Sequence, residues 1–237
     1  MLEGRAPWEY AALLAGGPWL RKLPRGDGHP VLVFPGLAAS DFSTRALRRV
    51  LERLGYPTRG WGLGLNVGPR HGVLERCHAL LQQVHEQHGG QPVSLLGWSL
   101  GGIYAREIAK RSPQQVRNVI TLGTPFTGHP RATHAWRFYD WVSGLDSHDP
   151  PTLAQIREAP PCPTTSIFSR SDGVVSWQCS VLEPGPLAEN IVVPASHMGL
   201  PANPLVMLAI ADRLAQPREG WKPLDPQGLR RYLYRRL

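Results

Sequence analysis

The sequence has 237 residues, of which 42% are hydrophobic and 19% charged, values that fit a globular chain able to bury one sizeable core. No apolar run approaches the roughly 18 residues of a membrane-spanning helix, and Glu3 and Glu9 precede the short apolar run at 10–15, so we expect neither an integral membrane segment nor a signal peptide. The formal net charge of +8 comes from dispersed basic residues without a nucleic-acid motif or a nucleotide-binding glycine loop, which favours a solvated basic surface over a nucleic-acid partner.

The hydrophobic pattern of the first part of the chain predicts alternating strands and helices. Residues 1–28 are expected to be peripheral, with a short helix at 8–14. The elements predicted after them are a buried strand at 31–34, an amphipathic helix at 43–54, a strand at 58–61 and a second amphipathic helix at 73–88. Gly55 is expected to end the first of these amphipathic helices.

The same alternation continues in the second part of the chain, with one interruption. The predicted elements are strands at 93–96, 116–122, 164–169 and 191–193 and helices at 103–110 and 204–214. Residues 126–161, aromatic and then proline-rich, predict a short helical cap inserted between strands. The alternation predicts an α/β fold in one domain, 1–237, whose mostly parallel sheet carries helices on both faces. The tail from Gly228 has the pattern of a basic amphipathic helix, although we favour a frayed, solvated end.

The cysteines give no sign of a disulfide framework or of a metal site. Cys77, Cys162 and Cys179 are an odd number, and their spacing lacks a metal-ligand pattern. We therefore expect reduced thiols in a cytoplasmic protein, with no metal.

A glycine-flanked serine lies between a predicted strand and a predicted helix. The segment Gly97-Trp98-Ser99-Leu100-Gly101 has the GxSxG spacing of a nucleophile elbow. Side chains at the two glycine positions would clash where strand and helix nearly touch, and the tight turn pushes the serine hydroxyl above the sheet edge. The motif alone could be a glycine-rich turn, but its position between strand and helix favours Ser99 as a nucleophile.

A serine nucleophile needs a histidine to take its proton. In α/β folds built around such an elbow, an acid and then the histidine follow the serine along the chain. The histidines after Ser99 are His129, His134, His148 and His197. The first three fall in the predicted cap, whereas His197 follows the last predicted strand, so we predict His197 as the base.

The acid should lie beyond a strand end between Ser99 and His197. Asp172 fits because it follows the predicted strand at 164–169 in the chain, although an Asp-Gly pair could also be an ordinary turn. The alternatives are Asp140, Asp146 and Asp149 in the predicted cap and Glu183 and Glu189 around a proline-rich loop. We predict Asp172 as the acid.

The oxyanion of an acyl-transfer intermediate needs backbone N–H donors. One should be Leu100, at the N-terminus of the helix directly after the nucleophile. The other should come from the loop after the first strand, where Gly36 lets the backbone turn inward, and we predict the N–H of Leu37.

These segments together resemble the α/β-hydrolases, and among them the bacterial lipase and esterase branch related to triacylglycerol lipases. The matching segments are VLVFPGLAAS at 31–40, the stretch 93–128 with the elbow and LGTPFTG, RSDGVV at 170–175 and SHMGL at 196–200. The resemblance implies an α/β-hydrolase fold, the triad Ser99, Asp172 and His197, and an oxyanion hole at Leu37 and Leu100. It implies no cofactor, and the calcium site of some such lipases has no match in this sequence.

We expect a serine hydrolase that cleaves short- to medium-chain carboxylic esters, either small molecules or lipids. The aromatic residues of the cap suggest an apolar acyl pocket, for which we predict Trp98 and Trp141. An acyltransferase, a thioesterase or a peptidase on the same triad stays an alternative, as does a scaffold that binds a ligand or partner without catalysis. The sequence leaves the oligomeric state open.

Overall fold

The computed structural model of the chain describes residues 2–16, 20, 22–70, 72–127, 150–217, 219–225 and 235–236. Most of the predicted cap lies outside these residues, including Trp141 and the other cap aromatics, and so does most of the predicted tail. From the cap segment the structure describes a helix at its end, Pro150–Arg157.

The centre of the fold is a sheet in which the chain alternates between strands and helices. Its strands are β1 (Val31–Phe34), β2 (Thr58–Gly60), β3 (Val93–Trp98), β4 (Val116–Leu122), β5 (Thr164–Phe168), β6 (Ala188–Val192) and β7 (Arg235–Arg236), in the spatial order β2-β1-β3-β4-β5-β6-β7. The pairs from β1 to β6 are all parallel, and β7 pairs antiparallel with β6. The predicted parallel sheet is therefore confirmed.

Helices cover both faces of this sheet. They are α1 (Ala6–Ala15), α2 (Arg45–Arg53), α3 (Val73–Gln87), α4 (Leu100–Arg111), α5 (Pro150–Arg157) and α6 (Pro204–Leu214). In β1 the side chains alternate, because successive residues of a strand point to opposite faces. Val31 and Val33 pack with α1, α2 and α6, while Leu32 and Phe34 pack with α3 and α4. The core thus consists of two apolar layers with the sheet between them.

The predicted helices and strands are present, and their bounds differ by a few residues. The helix after the elbow starts at Leu100 rather than at residue 103, because the turn at Ser99 leads directly into it. The strand predicted at 191–193 starts earlier, at Ala188. None of the described helices is long and apolar enough to cross a membrane.

The prediction of a peripheral N-terminal segment is wrong. Glu9 is 9% exposed, and Leu13, Leu20 and Leu23 belong to the core layer on the α1 side of the sheet. The prediction failed because the carboxylates of this segment bind loops far along the chain, a contact with no local sequence signal. Of the tail, Arg235–Arg236 form a strand rather than part of a helix.

Candidate active site

Ser99 lies in a strained turn between β3 and α4. Its backbone has φ 53° and ψ −124°, and a positive φ is uncommon for a residue other than glycine. The flanking glycines leave room for the turn, since a Cβ at Gly97 would lie 2.3 Å from Gly102 Cα and one at Gly101 would lie 2.4 Å from the Phe34 carbonyl oxygen. Ser99 is thereby held at the carboxyl edge of the sheet and at the N-terminus of a helix, as the elbow pattern predicts.

Asp172 and His197 lie on neighbouring loops, beyond the carboxyl ends of β5 and β6, and their side chains are hydrogen-bonded. Asp172 Oδ2 lies 2.7 Å from His197 Nδ1, and the exposed fractions of the two side chains are 2% and 4%. The other carboxylate oxygen accepts hydrogen bonds from the N–H groups of Val174 at 2.8 Å and Val175 at 2.7 Å. Because an ionised carboxylate only accepts, Nδ1 carries the proton and Nε2 is the acceptor, which is the tautomer that a general base needs.

Gly123 lies directly behind this pair, at the end of β4. A Cβ there would lie 3.2 Å from Asp172 Oδ2, 3.2 Å from His197 Nδ1 and 2.7 Å from Leu200 Cδ1, and the φ of Gly123 is +54°. Both the space and the backbone conformation therefore require glycine at this position.

The loop that follows β6 and carries His197, called the histidine loop below, is hydrogen-bonded to the residue beside Ser99. Trp98 Nε1 donates a hydrogen bond to the His197 carbonyl oxygen at 3.1 Å, and the two ring centroids are 5.8 Å apart. Among the described residues, the hydrogen bond of the His197 ring is the one to Asp172, and none joins it to Ser99 Oγ. Such bonds are often long without substrate and tighten when it binds. Trp98 is 3% exposed, and its predicted place in the acyl pocket stays a prediction.

The loop after β1 passes close to Ser99. A Cβ at Gly36 would lie 3.3 Å from Ser99 Cβ. The N–H of Leu37, the next residue, has no hydrogen-bond acceptor within the described part of the chain. The N–H of Leu100 is the first of α4 and has no acceptor within that helix. Both predicted oxyanion donors therefore belong to segments that meet at Ser99.

Asn66 fixes this loop, a role that the sequence did not reveal. Its side-chain amide donates to the Pro35 carbonyl oxygen at 2.9 Å. Its backbone oxygen accepts from the Ala38 N–H at 2.7 Å, and its own N–H donates to the Ala39 oxygen at 2.8 Å. Asn66 is fully buried, and it lies in a glycine-rich segment without helical or strand periodicity, so no pattern could have singled it out.

The other acids and histidines considered from the sequence do not contact this pair in the described part of the chain. His129, His134, His148, Asp140, Asp146 and Asp149 lie outside the described residues. Glu189 lies in β6, where it accepts a hydrogen bond from Arg213 Nη1 at 2.8 Å, and Glu183 is exposed. Within the ranges that the structure describes, no group of three or more His, Cys, Asp or Glu residues is placed to hold a metal ion.

Parts of the chain match known sequences. Residues 55–158 match the sequence model of the family described as serine aminopeptidase, S33. The chain is 30% identical over 135 residues to a triacylglycerol lipase of Pseudarthrobacter phenanthrenivorans, a match that covers 53% of this chain and 40% of the lipase. It is 27% identical over 215 residues to enterobactin synthase component F of Escherichia coli O157:H7, covering 85% of this chain and 16% of that protein. The chain thus spans less than half the length of either relative.

The fold also matches solved structures. Aspergillus fumigatus lipase B superposes with a TM-score of 0.62 at 16% sequence identity, over 80% of this chain and 52% of that one. At this identity the likeness shows the fold alone. The chain therefore has the α/β-hydrolase fold.

Proposed function

We propose that the chain is a serine hydrolase that cleaves carboxylic esters through an acyl-enzyme. The observation that carries this proposal is the buried hydrogen bond of 2.7 Å between Asp172 and His197, on loops next to the strained turn of Ser99. A buried carboxylate on Nδ1 makes Nε2 the basic atom of the imidazole, and Ser99 offers a hydroxyl at a helix N-terminus.

In the proposed mechanism, His197 Nε2 takes the proton of Ser99 Oγ as this oxygen attacks the ester carbonyl. The N–H groups of Leu37 and Leu100 donate hydrogen bonds to the resulting oxyanion. When the intermediate collapses, the carbon–oxygen bond to the alcohol breaks, and the imidazolium gives its proton to the leaving oxygen. Water then repeats the sequence on the acyl-enzyme, which releases the acid and restores the serine. The nucleophile, the base and the oxyanion donors of this cycle all belong to the chain, and water is the second substrate.

The substrate class rests on the partial likeness to a triacylglycerol lipase, which favours an ester with an apolar acyl group. The predicted acyl pocket contains Trp98 and Trp141, and Trp141 lies outside the described residues. If a closed pocket limits the length of the acyl chain, kcat/KM should rise from acetate to a maximum between butyrate and octanoate, since each buried methylene contributes roughly 0.8 kcal/mol. It should then fall for longer chains, which exceed the pocket. A profile that still rises at palmitate would indicate a lipase with an open site.

The direct test is hydrolysis of p-nitrophenyl esters of graded chain length by the wild-type chain and by Ser99→Ala, Asp172→Asn and His197→Ala. Each substitution should lower kcat by ~10⁴-fold or more, because the members of a triad act as a unit. Circular dichroism should show that the variants stay folded. Near-normal turnover by Asp172→Asn would mean that another acid serves, and the first candidates would be those in the predicted cap.

A thioesterase is the second candidate. The match to enterobactin synthase component F covers 85% of this chain, so one long match is to a synthase rather than to a lipase, and the proposed triad would attack a thioester by the same steps. Comparing kcat/KM for a medium-chain acyl thioester with that for the oxygen ester of the same acid separates the two reactions. Added alcohol that outcompetes water for the acyl-enzyme would indicate an acyltransferase instead.

A further inference from the structure

The first residues of the chain contact both loops that carry the acid–base pair. The segment 3–9, a 3-10 turn leading into α1, binds the residues on either side of Asp172 and of His197. We infer that Glu3 is a positioning residue, which sets the separation and the electrostatics of the Asp172–His197 pair. This inference rests on the proposed function and deepens it.

The carboxylate of Glu3 joins the histidine loop to the acid loop, which follows β5 and carries Asp172. Its Oε1 accepts hydrogen bonds from the Gly173 N–H at 2.9 Å and from the His197 N–H at 3.0 Å, and its Oε2 accepts one from the Met198 N–H at 2.9 Å. Gly173 directly follows Asp172 along the chain. A single side chain therefore holds the backbone of both triad loops, and a change in its position would change the distance between them.

Arg5, two residues after Glu3, bridges the same two loops. Its Nη2 donates to the Ser171 carbonyl oxygen at 3.1 Å, to Ser171 Oγ at 2.5 Å and to the Ala195 carbonyl oxygen at 2.5 Å. Ser171 directly precedes Asp172, and Ala195 lies two residues before His197. Arg5 thus binds the residues before the acid and the base, while Glu3 binds those at or after them.

Glu9 completes the attachment from within α1. Its carboxylate accepts hydrogen bonds from the Ser196 N–H at 3.1 Å, from Ser196 Oγ and from Asn203 Nδ2 at 2.8 Å. A Cβ at Gly199 would clash directly with this carboxylate. Ser196 directly precedes His197, so the whole histidine loop is clamped against the N-terminal segment.

Glu3 also places a negative charge beside His197. Burial alone would raise the pKa of the Glu3 carboxyl, but the N–H groups of Met198, His197 and Gly173, together with the charge on His197, lower the pKa below its ordinary value. Glu3 therefore stays ionised through the pH range in which an imidazole titrates, and its charge favours the imidazolium that forms during catalysis. The other charged groups on these elements in the described part of the chain are Asp172, Arg5, Glu9 and Arg170, and Arg170 stacks on Trp177.

A purely structural tether would predict a different outcome from a positioning residue that carries a charge. Loss of a tether lowers the melting temperature and the active fraction but leaves the pH dependence of the surviving enzyme unchanged. Loss of a charge beside the base moves the acidic limb of the kcat/KM profile to lower pH, because the protonated imidazole loses a stabilising neighbour. The two variants Glu3→Ala and Glu3→Gln separate these effects, since glutamine keeps the shape and removes the charge.

We therefore compare p-nitrophenyl butyrate hydrolysis from pH 5 to 9 by the full-length wild type, Glu3→Ala, Glu3→Gln and the matched control Glu86→Gln. Glu86 is an exposed glutamate on α3, on the opposite face of the sheet from α1, so its removal changes net charge alone. Glu3→Ala should lower kcat by ~10- to 100-fold with KM within about twofold, as a displaced catalytic pair requires. Glu3→Gln should lose less kcat.

Both Glu3 variants should move the acidic limb to lower pH by roughly half a unit, because Glu3 is partly exposed and its field is screened. At about 1 M salt the limbs of wild type and variants should converge. Glu86→Gln should match the wild type throughout. The inference is wrong if Glu3→Gln keeps the wild-type kcat and the wild-type acidic limb while Glu3→Ala is either unfolded or fully active. Ser99→Ala serves as the separate control: if it keeps wild-type turnover, the proposed function fails whatever the Glu3 variants do.

Discussion

Glycines surround the Ser99 turn and the Asp172–His197 pair because atoms approach each other there more closely than a Cβ would allow. The glycines beside Ser99 let a helix start directly against a strand. Gly123 acts differently, because the absence of a Cβ there leaves room for the hydrogen-bonded pair at the end of β4. At the scale of single residues, the site therefore depends as much on missing side chains as on the polar ones.

Replacing Gly123 with alanine should impair catalysis more than it impairs folding. Its positive φ costs about 1 kcal/mol for alanine, and the new methyl group would press on Asp172, His197 and Leu200. We expect kcat/KM for p-nitrophenyl butyrate to fall by ~10-fold or more.

The matched control for this variant is Gly89→Ala. Gly89 also has a positive φ, +64°, but a Cβ there meets nothing within 4 Å. Its alanine variant should lose only the part of the unfolding free energy that the positive φ costs, as measured in urea, and keep wild-type kcat/KM. Equal activity of the two variants would show that the space behind the pair is unimportant.

Some residues of the site could be predicted from the sequence, because strand ends and glycine spacing mark them locally. Ser99 is marked by its elbow, and Asp172 and His197 by the strands that they follow, and the structure places these last two side chains 2.7 Å apart. Asn66 and Glu3 have no such mark, since each acts by binding backbone of a distant segment. Contacts of this kind follow from the folded chain and not from any short pattern.

At the scale of elements, α6 and the N-terminal segment depend on each other through Asn203. Its side-chain oxygen caps α6 by accepting from the Leu205 N–H at 2.9 Å and the Val206 N–H at 3.4 Å. Its amide donates to Glu9 Oε1 at 2.8 Å. One side chain thus ends the histidine loop, starts the last helix and binds α1.

We expect Asn203→Ala to destabilise the chain by ~1–2 kcal/mol, because it removes the cap and one of the hydrogen-bond donors to the buried Glu9 carboxylate. Asn203→Ser should lose less, since serine also caps a helix. Urea unfolding followed by tryptophan fluorescence measures both. Equal stability of the alanine and serine variants would mean that capping contributes nothing here.

Strands and amphipathic helices could be predicted because their apolar periodicity is local, and the end of α6 is correct to the residue. The errors lie where tertiary contacts decide. The helix after Ser99 starts three residues early because the elbow glycines allow it, and the N-terminal segment is part of the core because its carboxylates find distant backbone donors.

At the scale of the whole molecule, the fold buries all three thiols. Cys77 and Cys162 lie in the layer of α3 and α4, and burial raises the pKa of each thiol to about 12. Burial also raises the pKa of Cys179. Because the thiolate is the reactive form, the cysteines should report on the integrity of the fold.

The native chain should therefore react with a disulfide reagent such as dithionitrobenzoate only as it unfolds. At pH 8 about one in ten thousand thiols with so high a pKa is ionised. All three cysteines should react in denaturant, at the rate of unfolding. Rapid labelling of a thiol in the native chain would show that a layer of the core opens locally.

In the proposed function, Ser99 is a nucleophile activated by His197. The most direct measurement treats the chain with a fluorophosphonate and locates the adduct by peptide mass mapping, for the wild type and for His197→Ala. We predict a single adduct on Ser99 in the wild type and labelling at least ~10³-fold slower in His197→Ala, since the hydroxyl then has no base. An adduct on another residue, or equal labelling rates for the two proteins, would contradict the claim.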